Sequence, residues 1–239
     1  DLTKAKTFYS DLFAWQGETH NMSQGGEYAM MGPEGSEIAG GFEITNEMRE
    51  QGMAPHWNNY VHVANVDEMI DKAASLGATI LMTPTNIGEH GRMAVFTDPT
   101  GAVLSLWQPK DPNVKQPTPK TPGMFSWNEL ATDDTEKAKT FYCDLFGWTA
   151  ETQMMGEMEY TAFSNQGTAI AGMLAKQADW EIPNCWCVYF TVSNIDNAIK
   201  EAARLGGKAM MDVMTLPGVG KLVMISDPQD SLFFLIEYA

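Results

Sequence analysis

Two cysteines stand two residues apart in NCWCVYF, at Cys185 and Cys187. Residues i and i+2 of a strand share a face, so both thiols look the same way. Their Cα atoms fall roughly 6.5–7 Å apart, at the edge of what a disulfide spans. Free cysteines behave as small buried hydrophobes, and that is the reading here. His62 follows Tyr60 at the same spacing in NNYVHV. An imidazole beside a phenol on one strand face suits acid–base work or ligand contact. It suits equally well a single hydrogen bond to a neighbour. His90, in IGEHGRM, reads as loop, and His56-Trp57 stands where the chain enters a strand, a place for the rim of a site. Glu237 lies beside Tyr238 in the last apolar run. The chain has 17 methionines, with a bunch at Met154, Met155, Met158, Met173, Met210, Met211, Met214 and Met224. Met fills irregular core gaps and also lines adaptable apolar pockets.

Composition narrows the classes of function. The 239 residues suit two domains, each large enough for its own core. Net charge is −16, from 15 basic and 31 acidic residues, which opposes a nucleic-acid surface or an anionic membrane surface. It favours solubility, and it would steer a cationic ligand. No apolar run approaches the roughly 18 residues of a membrane helix. With Cys143 the cysteine count is three, so no disulfide scaffold is expected and a reducing cytoplasm suits the chain.

The chemistry must be positioned by a repeat. DLTKAKTFYSDLFAWQGET at Asp1–Thr19 returns as DTEKAKTFYCDLFGWTAET at Asp134–Thr152, with 13 of 19 residues identical. Ala5, Phe8, Tyr9, Leu12 and Phe13 take the spacing of one apolar helix face, as do Ala138, Phe141, Tyr142, Leu145 and Phe146. Strand-like runs follow near Trp15–Met22, Glu27–Met31 and Glu37–Ile44, and near Trp148–Met154, Glu159–Ser164 and Thr168–Ala175, punctuated by glycine. Trp15 and Trp148 read as packing the helix onto the sheet. A second module, WNNYVHVANVDEMIDKAASLGATILMTP, realigns at an offset of 129 with WCVYFTVSNIDNAIKEAARLGGKAMMDV. Each copy reads strand, helix, strand. Two more strands follow, around the turns at Asp98-Pro99-Thr100-Gly101 and Asp227-Pro228-Gln229-Asp230.

The stretch Pro109–Gly123 holds five prolines in 15 residues, which rules out a helix or an inner strand. The expected domains are therefore 1–110 and 123–239, joined by a proline-rich linker over 111–122. The pattern is β-α-β-β-β four times, an α+β class. The opening strand of the third module is Met124–Ala131. The first module begins directly at its helix, so the pattern predicts about ten preceding residues, one strand and its lead-in.

These paired modules, the motif A-K-x-F-Y-x-x-L-F-[AG]-W and the motif V-x-N-[VI]-D-x-[AM]-I-x-x-A-x-x-L-G-[AG] resemble the vicinal-oxygen-chelate superfamily, which unites glyoxalases, bleomycin-resistance proteins and extradiol dioxygenases. The resemblance covers nearly the whole chain outside the linker. It implies tandem βαβββ modules whose mixed sheets curve into cups with the helices outside. It further implies a divalent metal held by His, Glu or Gln from the first and last strands of a module. Such a metal stabilises a developing anion or activates dioxygen.

Carried onto this chain, the first-strand position is Trp127 and its equivalents in the second modules are Asn58 and Cys187. The last-strand position is Gln108 or Glu237. On the fourth strand, Gly40–Phe42 and Gly172–Leu174 hold no carboxylate. That is a poor donor set, since a metal site wants at least three good ligands. Allowing a slip of two residues brings in Glu129, Tyr60, His62 and Tyr189. The resemblance thus implies Glu129, Tyr189 and Glu237 as catalytic candidates. It implies Tyr60, His62, Trp57, Gln108, Trp127, Trp186 and Cys187 as ligand-binding ones. His62, Gln108, Glu129 and Glu237 are the metal candidates.

The function expected first is binding of a small, partly apolar molecule in a sheet cup without a standard metal site. The alternative is a metal-dependent lyase or isomerase resembling lactoylglutathione lyase, or a dioxygenase. The cofactor is one divalent ion (Ni, Zn, Mn or Fe) or none. The partner is a small molecule, with no nucleic acid and no membrane, for a monomer or homodimer in the cytoplasm.

Overall fold

The helix motif caps itself in both copies. Asp1 accepts a hydrogen bond from the Lys4 amide at 3.0 Å, and Asp134 accepts one from the Lys137 amide at 3.0 Å. Each carboxylate satisfies an amide that the first helical turn leaves without a partner. In the computed structural model, which describes residues 1–22, 25–112, 120–156, 158–177, 180 and 182–239, these helices run Leu2–Phe13 (α1) and Thr135–Phe146 (α4). Ala14 and Gly147 close them in the left-handed region. Glycine takes that conformation freely and alanine does not.

In the first module α1 precedes β1 (Gln16–Asn21), β2 (Glu27–Gly32), β3 (Ala39–Phe42) and a short α2 (Asn46–Glu50). The second is β4 (Tyr60–His62), α3 (Val66–Ser75), β5 (Thr79–Ile87), β6 (Gly91–Thr97) and β7 (Val103–Pro109). The third is β8 (Phe125–Thr132), α4, β9 (Thr149–Met155), β10 (Met158–Asn165) and β11 (Thr168–Ala175). The fourth is β12 (Cys185–Thr191), α5 (Ile195–Arg204), β13 (Lys208–Ala209), β14 (Met214–Leu216), β15 (Gly220–Ser226) and β16 (Leu232–Tyr238). The α+β class and the curved open sheets agree with the sequence pattern. Of the proline-rich stretch, residues 113–119 lie outside the described residues.

The compact units interleave the sequence halves. Unit 1 comprises Asp1–Trp57, Pro117–Ser126 and Val188–Ala239, so the first module joins the fourth. Unit 2 comprises Asn58–Gln116 and Trp127–Cys187, so the second joins the third. Within unit 1 the strand orders are β1-β2-β3 and β13-β15-β16-β12, with β14 on β15. Within unit 2 they are β4-β7-β6-β5 and β8-β11-β10-β9. The β12–β16, β4–β7 and β8–β11 pairs are parallel.

Each unit packs the apolar face of its motif helix onto a sheet from the other half. In unit 1, Phe8, Tyr9 and Phe13 join Phe190, Val223, Phe233 and Leu235 in one core. In unit 2, Phe141, Tyr142 and Leu145 join Phe96, Leu104 and Leu106. Each large side chain so buried contributes roughly 1.5–3 kcal/mol. Trp15 and Trp148 are buried in these same cores, as their place in the motif suggests.

A buried polar set is repeated inside each core. In unit 1 the Tyr9 hydroxyl donates to Asp227 Oδ2 at 2.9 Å and accepts from Trp57 Nε1 at 2.9 Å. In unit 2 the Tyr142 hydroxyl donates to Asp98 Oδ2 at 2.7 Å and accepts from Trp186 Nε1 at 2.8 Å. Burial pushes both tyrosines well above their ordinary pKa, and the neighbouring aspartate pushes the same way. The linkage has a definite sign. Unfolded tyrosines ionise near pH 10 while the native ones stay protonated, so the folded state holds more protons. Stability is full below about pH 10 and falls as pH rises beyond it. Denaturant titrations at about pH 8 and about pH 11 will show a steep alkaline loss that Tyr9→Phe and Tyr142→Phe each flatten. An equal loss in those variants would dismiss the two tyrosines as its source.

Candidate ligand-binding face

In unit 2 several of the candidate side chains lie on the side of the sheets away from the helices. Leu130, Trp186, Phe163 and Val63 point into the helix-side core. By strand alternation Trp127, Glu129, Cys185, Cys187, Tyr160, Tyr60 and His62 point the other way. On β8 and β10, Trp127 Nε1 donates to the Tyr160 hydroxyl at 2.9 Å. That hydroxyl lies over Gly172, where an added Cβ would stand 1.9 Å from it and 3.0 Å from the Trp127 nitrogen. Gly172 is in register with Glu129 across the parallel β8–β11 pair. Glycine is required here because the tyrosine fills the volume a side chain would take. Unit 1 repeats the device, with Tyr28 over Gly40.

On β4 and β7 the face is polar. Asn58 Nδ2 donates to Ser105 Oγ at 2.7 Å, while the buried Asn58 Oδ1 has no hydrogen-bond partner among the described residues. Tyr60 is half exposed. Loss of water around its hydroxyl raises its pKa, against the opposite pull of Asn58 and Ser105. His62 lines an open groove of about 510 Å³ with Val63, Ala64, Gln108, Pro109 and Lys110.

Glu237, Trp57, Trp186 and Tyr189 are placed elsewhere, and Gln108, although it borders the His62 groove, is held by a helix N-terminus. Gln108 and Glu237 share the strand parity of Leu106 and Leu235, which are core residues on the helix side. Gln108 Oε1 accepts from the Val66 amide at 2.9 Å, and Glu237 Oε2 accepts from the Ile195 amide at 2.7 Å. Both therefore cap the helix that starts there. Trp57 and Trp186 give their N–H groups to the buried tyrosines. Tyr189 is buried in unit 1, its ring stacked on Phe234 at 4.4 Å. Because Gln108 performs in the first half what Glu237 performs in the second, Glu237→Gln will be nearly neutral. Glu237→Ala will cost about 1 kcal/mol, the usual effect of losing a cap. Urea unfolding of the two variants reads the difference, and a costly Gln variant would assign the carboxylate charge a further role.

Sequence reasoning missed Tyr160, Ser105 and Tyr28. One signal was available: Tyr28 and Gly40 stand 12 residues apart, as do Tyr160 and Gly172. An aromatic covering a cross-strand glycine has that signature only once the register is known.

The model of the Glyoxalase/Bleomycin resistance protein/Dioxygenase superfamily matches residues 1–106 and 125–233. The chain belongs to this superfamily. Among its relatives, the protein named "Putative glyoxylase CFP32" of Mycobacterium tuberculosis is 31% identical over 239 residues, covering 100% of this chain and 91% of that one. The anthracycline biosynthesis protein DauV of Streptomyces is 26% identical, covering 99% and 89%. Among solved structures, the Mn(II)-bound glyoxalase from Novosphingobium aromaticivorans superposes with a TM-score of 0.62 at 14% identity, covering 99% and 78%. The 2,3-dioxygenase LapB from Pseudomonas sp. KL28 gives 0.59 at 12%, covering 99% and 88%. These likenesses establish the fold. No helix among the described residues is long and apolar enough to cross a membrane.

The divalent metal that this superfamily implies does not fit the donors present. Among the described residues no three His, Cys, Asp or Glu side chains gather into a group able to hold one. The last-strand positions, Gln108 and Glu237, are turned to helix N-termini.

Proposed function

We propose that this superfamily member binds a small, partly apolar aromatic molecule on the helix-free face of unit 2, without the standard metal site. The observation that carries the reading is the Trp127–Tyr160 pair laid over Gly172 beside Glu129. It offers a flat aromatic wall with one carboxylate at its edge. Aromatic side chains supply large contact area with a polar handle, which suits planar ligands. Tyr60, His62 and the unpartnered Asn58 oxygen add polar contacts on the second module. The printed name of the DauV relative, an anthracycline biosynthesis protein, supports a polycyclic aromatic ligand. The net charge of −16 favours one that carries a cationic group. The reading includes a cytoplasmic monomer or homodimer.

The test is a thermal-shift and tryptophan-fluorescence screen of aromatic compounds, neutral and cationic, with metal analysis of the same preparation. A saturable hit on metal-free protein supports the reading, because a ligand that binds only the native state raises Tm by mass action. Stoichiometric bound metal together with turnover of an α-oxoaldehyde–thiol adduct or a catechol would overturn it.

A further inference from the structure

Cys185 and Cys187 are used by nothing described so far. Both are free and half-buried, not the fully buried hydrophobes that free cysteines usually are. They share the helix-free side of β12 in unit 2, and their Sγ atoms lie 3.8 Å apart in a thiol–thiol hydrogen bond. Two thiols in contact do together what neither does alone. An oxidant that turns one into a sulfenic acid leaves the other beside it, placed to displace the oxygen. The hydrogen bond also divides the roles. It lowers the Cys185 thiol, against burial, and the Lys176 ammonium pulls the same way as the bond. The same bond raises Cys187, as do burial and the negative charges of Cys185 and Glu129. Cys185 is thus the attacking sulfur, and Cys187 the proton-bearing partner that resolves it.

We propose that Cys185 and Cys187 are a peroxide-modification site: hydrogen peroxide joins them in a disulfide that small thiols reopen. The Cys185 sulfur attacks one peroxide oxygen, the O–O bond breaks, and the released hydroxide takes up the thiol's proton as water. Cys187 then attacks the sulfenic sulfur, its proton goes to the departing hydroxyl, and a second water leaves. Two thiols are oxidised, one peroxide is reduced, and two waters form. Reopening takes two thiols of the glutathione kind, which leave as their own disulfide.

Position makes the bond reversible. Two residues along a strand hold their Cα atoms near the far limit of disulfide geometry, so β12 must pleat more deeply to close it. Strained disulfides are the easily reduced ones, suited to a transient mark and not to a permanent staple. The site lies on the face proposed to take an organic ligand, but neither its argument nor its test uses that ligand.

The experiment treats the reduced full chain, kept in chelator, with a small excess of hydrogen peroxide and maps every thiol by mass spectrometry. Reactive thiols will fall from three to one per chain, with two hydrogens lost between Cys185 and Cys187, and glutathione will restore all three. Cys143, whose thiol is raised by burial and by the Asp144 charge, will react at least about tenfold more slowly. Cys187→Ser will stop at a sulfenic acid on Cys185, which dimedone traps. Cys185→Ser will react about as slowly as Cys143. The mapping of the native chain needs neither variant. Oxidation first at Cys143, over-oxidation of Cys185 with no disulfide, a pair inert to peroxide, or a bond that glutathione leaves closed would each overturn the site.

Discussion

Asp98→Ala will lower stability by about 3–5 kcal/mol, and for a chain of this length Tm will fall by about 6–20 °C. Asp98 is 3% exposed. It accepts from the Tyr142 hydroxyl at 2.7 Å, from the Thr100 amide and hydroxyl, each at 2.7 Å, and from the Ala102 amide at 3.1 Å. One carboxylate thus closes the turn before β7 and ties it to the motif helix of the other half. Alanine strands these donors in a place water does not reach, and each orphan costs about 1–3 kcal/mol before relaxation. Asp227→Ala will act alike in unit 1, where Tyr9, the Gln229 amide and the Ser231 amide lose their acceptor. Tyr142→Phe, which removes one bond and keeps the ring, will cost about 1–2 kcal/mol. Denaturant unfolding decides the matter. An Asp98→Ala protein within about 1 kcal/mol of the native chain would mean that the network contributes little.

The second large effect is on binding. Trp127→Ala will weaken the best aromatic hit by about 30–100-fold, or roughly 2–3 kcal/mol. The substitution removes the ring that forms the wall. It also deprives the Tyr160 hydroxyl of the donor that holds it over Gly172. Trp127→Phe keeps a ring but no N–H, so it will lose less, about tenfold or under. Gly172→Ala reaches the same wall from beneath, because its Cβ would occupy the space of the Tyr160 hydroxyl. Isothermal titration of the three variants gives the ranking. Native-like affinity in Trp127→Ala would remove this face from the ligand reading.

Much of this was legible in the residues. The motif helices, their N-caps and the glycine at position 147 follow from spacing and capping chemistry, and the helices run Leu2–Phe13 and Thr135–Phe146. The exchange of modules was not legible. Phe8, Tyr9 and Phe13 are repeated as Phe141, Tyr142 and Phe146, and the turn aspartates and entry tryptophans are repeated too. Either helix therefore complements either sheet, and local sequence cannot choose between them. Gln108 and Glu237 show a second limit. Their residue types suggested ligands, but counting in twos from Leu104 through Leu106, and from Phe233 through Leu235, turns them to the helix side. Tyr160 over Gly172 shows a third, since residues on different strands meet only through register.

The interleaving of units also sets a timetable for synthesis. In sequence, unit 2 is a continuous middle stretch apart from its linker, nested inside unit 1 as one bracket pair is nested inside another. Its last partner, Cys187, leaves the ribosome well before the last strand of unit 1. About 225 residues separate Phe13 from Tyr238. At about 5–20 residues per second, the first helix waits roughly 11–45 s for the sheet that covers it. Throughout that interval Phe8, Tyr9 and Phe13 present an uncovered aromatic stripe. In sequence order, the inner pair is complete before the outer pair can close.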